Sequence, residues 1–252
     1  MKILISIIAV VVGFLFYLWN KEWKKKKKEL HVKARSCINR LQEANQSFLR
    51  LSKGEKGYFS HHLLQNWRNT LNDLYLLIET IPFGRIGLGN DEILDFETFI
   101  NNYTNGENLR AVSNTAIVDE ELKKYSYFFD NVENRKLDIQ QRKAIVTDED
   151  NNIIIAGAGS GKTTTIVGKV GYVIDRYKIP PEQILLISFT NKSAATLVSR
   201  INIPGVEAKT FHKFGKDVIA ETEQRQPSIF DENQFKRIIT EFFNDLVKDP
   251  TC

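Results

Sequence analysis

Apolar positions open the chain as an almost unbroken run at residues 3–19, interrupted only by Ser6 and Gly13 and closing in Phe14, Phe16, Tyr17 and Trp19. Seventeen residues at about 1.5 Å each give roughly 26 Å, enough to cross the hydrocarbon core of a bilayer. Trp19 and Trp23 stand where interfacial aromatics are expected, and five lysines follow at 24–28. A cleaved signal peptide fits less well, because no small-x-small site follows the run. Residues 1–20 are therefore expected to be a single-pass transmembrane anchor that meets the membrane through residues 3–19. The positive-inside rule then sets the rest of the chain, including its C-terminus, on the cytoplasmic face of the cell membrane.

Beyond the anchor the apolar spacing changes to threes and fours. Leu30, Ala34, Cys37, Ile38, Leu41, Ala44, Phe48 and Leu51 predict an amphipathic helix over 22–52, which can run straight out of the membrane. Lys53-Gly54-Glu55-Lys56-Gly57 ends it. Leu63, Leu64, Trp67, Leu71, Leu74, Tyr75 and Ile78 predict a second helix over 60–79. His61 and His62 are adjacent, point in different directions on a helix, and read as surface residues rather than a metal pair. Residues 81–114, with Pro82, Gly84, Gly87, Gly89 and Gly106, read as loops and short elements, and residues 118–132 as a further helix carrying Leu122, Tyr125, Phe128 and Phe129. Residues 21–117 thus form a mainly helical region.

From 118 to 252 the pattern becomes α/β. Ile153, Ile154 and Ile155 predict a short buried strand, residues 161–177 a helix, residues 183–188 a second buried strand, and residues 206–209 a third. Strand, helix and strand at these lengths form the parallel βαβ unit. The expected fold is a parallel sheet with flanking helices, preceded by the helical region and the anchor.

Between the first strand and its helix lies Ala156-Gly157-Ala158-Gly159-Ser160-Gly161-Lys162-Thr163-Thr164. Glycines let backbone N–H groups converge on an anion without Cβ clashes, and the helix N-terminus adds unpaired donors. This is a phosphate-binding loop, in which Lys162 reaches the β- and γ-phosphates and the Thr163 hydroxyl is a ligand of Mg²⁺. Ala156 stands where the first glycine of the strict pattern belongs, which is tolerable if its φ is negative. Upstream, Gln141 offers a donor and an acceptor on one amide and could pair with the N6 and N7 edge of adenine. Downstream, Phe189-Thr190-Asn191 and Thr210-Phe211-His212 follow predicted strands, where ligands of open α/β sheets gather. An aromatic there could stack a base; the plainer alternative is a helix capped by Thr190 or Asn191 with Phe189 in the core.

Composition changes this picture little. The 252 residues are 42% hydrophobic and 26% charged, a globular mixture, with only Cys37 and Cys252, so neither a disulfide framework nor a cysteine zinc site is suggested. The formal net charge is +4, and removing the lysines at 24–28 leaves −1, so the basic balance is local and does not point to a DNA-binding face.

Leu137-x-x-x-Gln141-Arg142-x-Ala144-Ile145, then the glycine loop, then Ser188-Phe-Thr-Asn-Lys-Ser-Ala, then Thr210-Phe-His resemble the Q motif and motifs I, Ia and Ic of UvrD/Rep-type superfamily 1 helicases. The flanks Glu121-Leu-x-x-Tyr125-x-x-Phe128-Phe-Asp130 and Ala144-Ile-Val-Thr-Asp-Glu-Asp150 are similar to the bacterial DNA helicase IV branch. The resemblance covers residues 121–219 and implies a partial RecA-like P-loop NTPase domain over 118–252. It implies ATP and Mg²⁺ as cofactors, with Gln141 on adenine and Arg142 at the nucleotide pocket. The loop from Ala156 to Thr164 would hold phosphates and Mg²⁺, with Lys162 catalytic. Single-stranded DNA would meet Phe189, Thr190, Asn191, Phe211 and His212.

The family also needs an Asp-Glu-x-Gln motif after a buried strand, an arginine finger and a second RecA-like domain. Asp231-Glu232-Asn233-Gln234 has the letters, but Gln224-Arg225-Gln226-Pro227 cannot form the preceding strand. Asp231 reads better as the N-cap of an amphipathic helix with Phe235, Ile238, Ile239, Phe242, Phe243 and Leu246. The chain is expected to be the amino-terminal portion of a longer ATP-dependent DNA helicase, or a truncated relative, that relies on C-terminal helicase domains. The alternative is a membrane-tethered nucleotide- or DNA-binding module without turnover.

Overall fold

The structure, a computed structural model, describes residues 2–225 and 232–248, with side chains described for residues 11–225 and 235–244. Two compact units divide between Tyr177 and Lys178.

The first unit is helical. Helix α1 (Lys2–Ser52) is continuous, and the predicted stripe is the buried one: Ala34, Cys37, Leu41, Ala44, Phe48 and Leu51 face a core shared with α2 (His61–Glu79). Gly54 and Gly57, both at positive φ, reverse the chain between them, and Ser60 caps α2 by accepting from the Leu63 N–H. Among the described residues no helix is long and apolar enough to cross a membrane. The side chains of residues 3–10, half of the predicted anchor, lie outside the described residues.

Residues 81–89 are the loop and short element expected, with a one-turn helix at Phe83–Arg85, but the rest of the stretch to 114 is instead helical, in α3 (Asn90–Thr104) and α4 (Gly106–Lys124). Glycine and asparagine content misled here for a physical reason. Glu92 reaches back to the Gly89 N–H at 2.8 Å, so Gly89 marks a helix start. Gly106 is buried at the start of α4, where a Cβ would lie 2.9 Å from Leu64 Cδ1, so it serves close packing rather than a turn. Phe96, Phe99 and Ile117 complete the first core. The helix expected over 118–132 is the end of α4, a break at Tyr125 and one turn, α5 (Ser126–Phe129).

A second cluster of buried residues joins Phe129, Val132 and Leu137 to Ile145 and Val146 of α6 (Ile139–Val146) and Tyr172 of α7 (Lys162–Tyr177). Residues 153–155 do not form the predicted strand. They have no regular secondary structure, with Ile153 88% and Ile155 93% exposed. A buried parallel strand needs ladder partners, and the described part of this unit holds no other strand, only an isolated Val132–Arg135 bridge.

The second unit holds the parallel pair, β1 (Leu185–Ser188) and β2 (Glu207–Thr210), joined by α8 (Asn191–Ile201). The βαβ crossover formed is therefore β1–α8–β2, one element later than the sequence pattern suggests. Residues 183–188 are not a buried strand either, since a one-turn helix occupies 181–183 and the apolar side chains of Leu185 and Ile187 are exposed. Helices α9 (Phe211–Glu223) and α10 (Glu232–Lys248) follow. Asp231, the predicted cap, lies outside the described residues, whereas Phe235, Ile238, Ile239, Phe242 and Phe243 of α10 are exposed.

Leu41 is fully buried between α1 and its neighbours. Leu41→Ala is expected to lower the unfolding free energy by about 2–5 kcal/mol, read from the urea midpoint monitored by far-UV circular dichroism.

Candidate nucleotide site

Asp138 starts α6 by accepting from the Gln140 and Gln141 N–H groups at 2.8 Å each, while Gln141 Oε1 accepts from the Asp138 N–H at 2.9 Å. This reciprocal cap orients Gln141 before any ligand does. Its Nε2 then donates to Ser160 O at 3.1 Å, in the glycine loop. One amide hydrogen and one lone pair remain for a base edge.

Gly159 and Gly161 have φ of 75° and 83°, in the left-handed region. At Gly161 a Cβ would also stand 2.5 Å from Gln141 Nε2, so the conformation favours glycine and a side chain there would displace the Gln141 amide. Ala156 is not among the residues at positive φ, which is why alanine serves there. Ser160 Oγ donates to Gly157 O at 2.8 Å, and Lys162 Nζ donates to Ala156 O at 2.7 Å and Gly157 O at 2.5 Å. The lysine ammonium is thus held on two carbonyls of the loop. Gly157, Ala158, Gly159 and Ser160 are exposed, Thr163 is half-buried, and Thr164 is buried. An exposed backbone cradle with no Cβ at 159 and 161, one cation and one hydroxyl suits a polyphosphate with a divalent ion.

Arg142 is held rather than free. Its Nε donates to Leu137 O at 2.8 Å, its terminal nitrogen pairs with Asp130, and its guanidinium lies 5.8 Å from the centre of the Phe129 ring. The Asp130–Arg142 pair holds the carboxyl of Asp130 below the usual carboxylate range, with Lys136 adding to the effect.

Several residues that position the loop carried no role in the sequence reading. Lys169 of α7 donates to Ile145 O, Thr147 O and Asp148 Oδ1 at 2.9, 3.1 and 2.6 Å, tying α7 to the end of α6. Glu121, buried on α4, accepts from the Tyr172 hydroxyl and from Arg176 Nε, both at 2.9 Å. Burial pushes the Tyr172 hydroxyl well above the ordinary phenol range. Glu149 pairs with Arg110 and accepts from the His61 N–H at 2.6 Å, while Asp150 accepts from the His62 N–H at 2.7 Å, so two carboxylates sit at the N-terminus of α2. A partner at such long sequence separation leaves no periodic trace.

In the second unit Ser188 pairs with Thr210 in the parallel register. Phe189 and Phe211 therefore follow one paired row at the same sheet edge. Phe189 is 95% exposed and is not a core residue. Thr190 caps α8 by accepting from the Ser193 N–H at 3.1 Å, and Thr210 caps α9 by accepting from the Lys213 N–H at 3.2 Å. Asn191, Phe211 and His212 are exposed. No group of three or more metal-ligating side chains occurs among the described residues.

Part of the chain is similar to known proteins. Residues 137–250 match the UvrD/REP helicase N-terminal domain. The chain is 34% identical over 127 residues to DNA helicase IV of Escherichia coli, a match covering 49% of this chain and 19% of that protein. It is 40% identical over 83 residues to the ATP-dependent DNA helicase UvrD1 of Mycobacterium leprae, covering 30% of this chain and 11% of that one. With the ATP-dependent DNA helicase PcrA of Staphylococcus epidermidis the identity is 37% over 84 residues, covering 31% and 12%. The chain thus spans about a fifth or less of the length of these relatives.

A carboxyl whose folded pKa is depressed contributes stability above its unfolded pKa, near 3.9, and loses it as pH falls through the folded value. Asp130→Asn is accordingly expected to be less stable than wild type at pH 7, with the gap in denaturation midpoint narrowing below about pH 4. A gap that persists unchanged at pH 3 would assign the loss to packing instead.

Proposed function

We propose, with residues 137–250 belonging to the UvrD/Rep-type helicases, that this chain is the ATP-binding amino-terminal part of an ATP-dependent DNA helicase. The whole protein couples ATP hydrolysis to movement on single-stranded DNA and to duplex unwinding. The observation that carries the reading is the convergence of Gln141, Ser160 and Lys162 on one glycine loop at the head of α7.

In this reading Gln141 contacts the adenine edge and Arg142, pinned by Asp130 and Phe129, lines the pocket. The loop from Ala156 to Thr164 takes the phosphates, with Gly159 and Gly161 allowing close backbone approach, Lys162 meeting the β- and γ-phosphates and Thr163 meeting Mg²⁺. Bound Mg²⁺ would supply charge neutralisation at the phosphates. Phe189 and Phe211 offer faces on which bases stack, and Thr190, Asn191 and His212 meet the strand beside them. Water activation and closure over the nucleotide fall to a carboxylate pair and a second RecA-like domain. The reading also keeps residues 3–19 as a membrane-spanning anchor with the following residues on the cytoplasmic side, supported by the apolar run and the lysines after it.

Fluorescent ATP-analogue binding tests the site. Lys162→Ala is expected to weaken binding at least tenfold with an unchanged circular dichroism spectrum, and undiminished binding would contradict the assignment. Phe189→Ala is expected to weaken binding of a single-stranded oligonucleotide by about 5- to 100-fold, the loss of one or more stacked bases.

A further inference from the structure

The lysines at 24–28 are absorbed by neither the nucleotide site nor the strand-end clusters. On α1 successive side chains turn by about 100°, so five consecutive lysines pass right round the helix. Lys24, Lys25, Lys26 and Lys28 are exposed and Lys27 is half-buried. A polyanion lying alongside the helix, such as duplex DNA, could engage only part of such a ring. A plane of negative charge crossed by the helix engages all of it.

The neighbouring residues point the same way. Trp19 and Trp23, one turn apart and immediately before the ring, are stacked at 6.5 Å and 9°, and Phe16 lies 5.8 Å from Trp19. All three are exposed. Aromatic rings with one polar edge, directly before a collar of ammonium groups, match the order in which a helix meets the acyl boundary and then the headgroups of a bilayer. The loop over 84–88 adds to the collar: a Cβ on Gly87 would lie 3.8 Å from Lys27 Nζ, and exposed Arg85 stands two residues away. Glu22 and Glu29 are the acidic residues flanking the lysines on α1.

We propose that Lys24 to Lys28 form a headgroup collar that binds anionic phospholipids where α1 leaves the membrane. The proposal rests on the reading of residues 3–19 as membrane-inserted. Its consequence is positional. Ala34, the first buried residue of the helical core, is six residues beyond Lys28 on the same unbroken helix, a rise of about 9 Å. The collar therefore holds the first helical core directly against the lipid surface, with no flexible linker.

The test is co-sedimentation of the full chain with vesicles of phosphatidylcholine alone and of phosphatidylcholine with about one-third phosphatidylglycerol, beside a variant with all five lysines changed to Gln. Wild type is expected to gain at least tenfold in partitioning on the anionic vesicles, with the gain lost at 0.5 M salt and absent from the variant. Equal gain in wild type and variant would overturn the collar. So would the absence of gain, with the lysines instead conferring binding to duplex DNA. Retention of both proteins on neutral vesicles reports the apolar anchor separately. Its failure beside a lysine-dependent anionic gain would remove the anchor reading, and with it the placement of the lysines where α1 leaves the membrane, leaving only their binding of anionic lipid.

Discussion

The close approach of α7 to α6 is the constraint on which the nucleotide site depends. Gly168 sits under Ile145, where a Cβ would be 2.7 Å from Ile145 Cδ1, with Leu137 and Val132 at ordinary contact distance. A side chain at 168 would force Ile145 or the helix spacing to shift. Because α6 lies so near, Gln141 reaches Ser160, and because Lys169 grips the last carbonyls of α6, the two helices cannot slide past one another. The glycine loop is thus held by a second helix through the Gln141 amide.

This pair of helices is in turn fixed to the amino-terminal helices by buried charge. Glu121 on α4 receives Tyr172 and Arg176 from α7 in a setting where an uncompensated carboxylate would cost several kcal/mol. Arg176 also donates to Gly54 O at 3.3 Å, and Glu149 and Asp150 close the N-terminus of α2. The helical region is therefore part of the scaffold of the loop. The carboxylates at residues 148, 149 and 150 bind between them α7, α4 and the N-terminus of α2, so that short stretch is held without an apolar pattern.

Periodicity made α1 and α2 legible, because each buries one apolar stripe in the first core, and α7 was legible as the helix that follows the glycine loop. The glycine loop was legible because its chemistry dictates residue types at fixed spacing. What escaped was decided by distant partners. Gly89 and Gly106 look like loop residues until Glu92 and Leu64 come beside them. Ile153 to Ile155 look like a strand, but a ladder belongs to two segments and an apolar run specifies only one of them. The resemblance gave Arg142 only as an expected pocket residue, and its pinning by Asp130 and Phe129 depends on a turn that brings the end of α5 back to α6. The lysines at 24–28 were legible as charge, and their closed ring became significant only once α1 proved continuous through them.

Amide hydrogen exchange of the chain with and without MgATP tests the central claim most directly. The account predicts added protection over residues 157–165 and at the start of α6 around Gln141, with the first helical core over 34–117 unchanged. Protection spread evenly over the chain, or confined to residues away from the glycine loop, would contradict it.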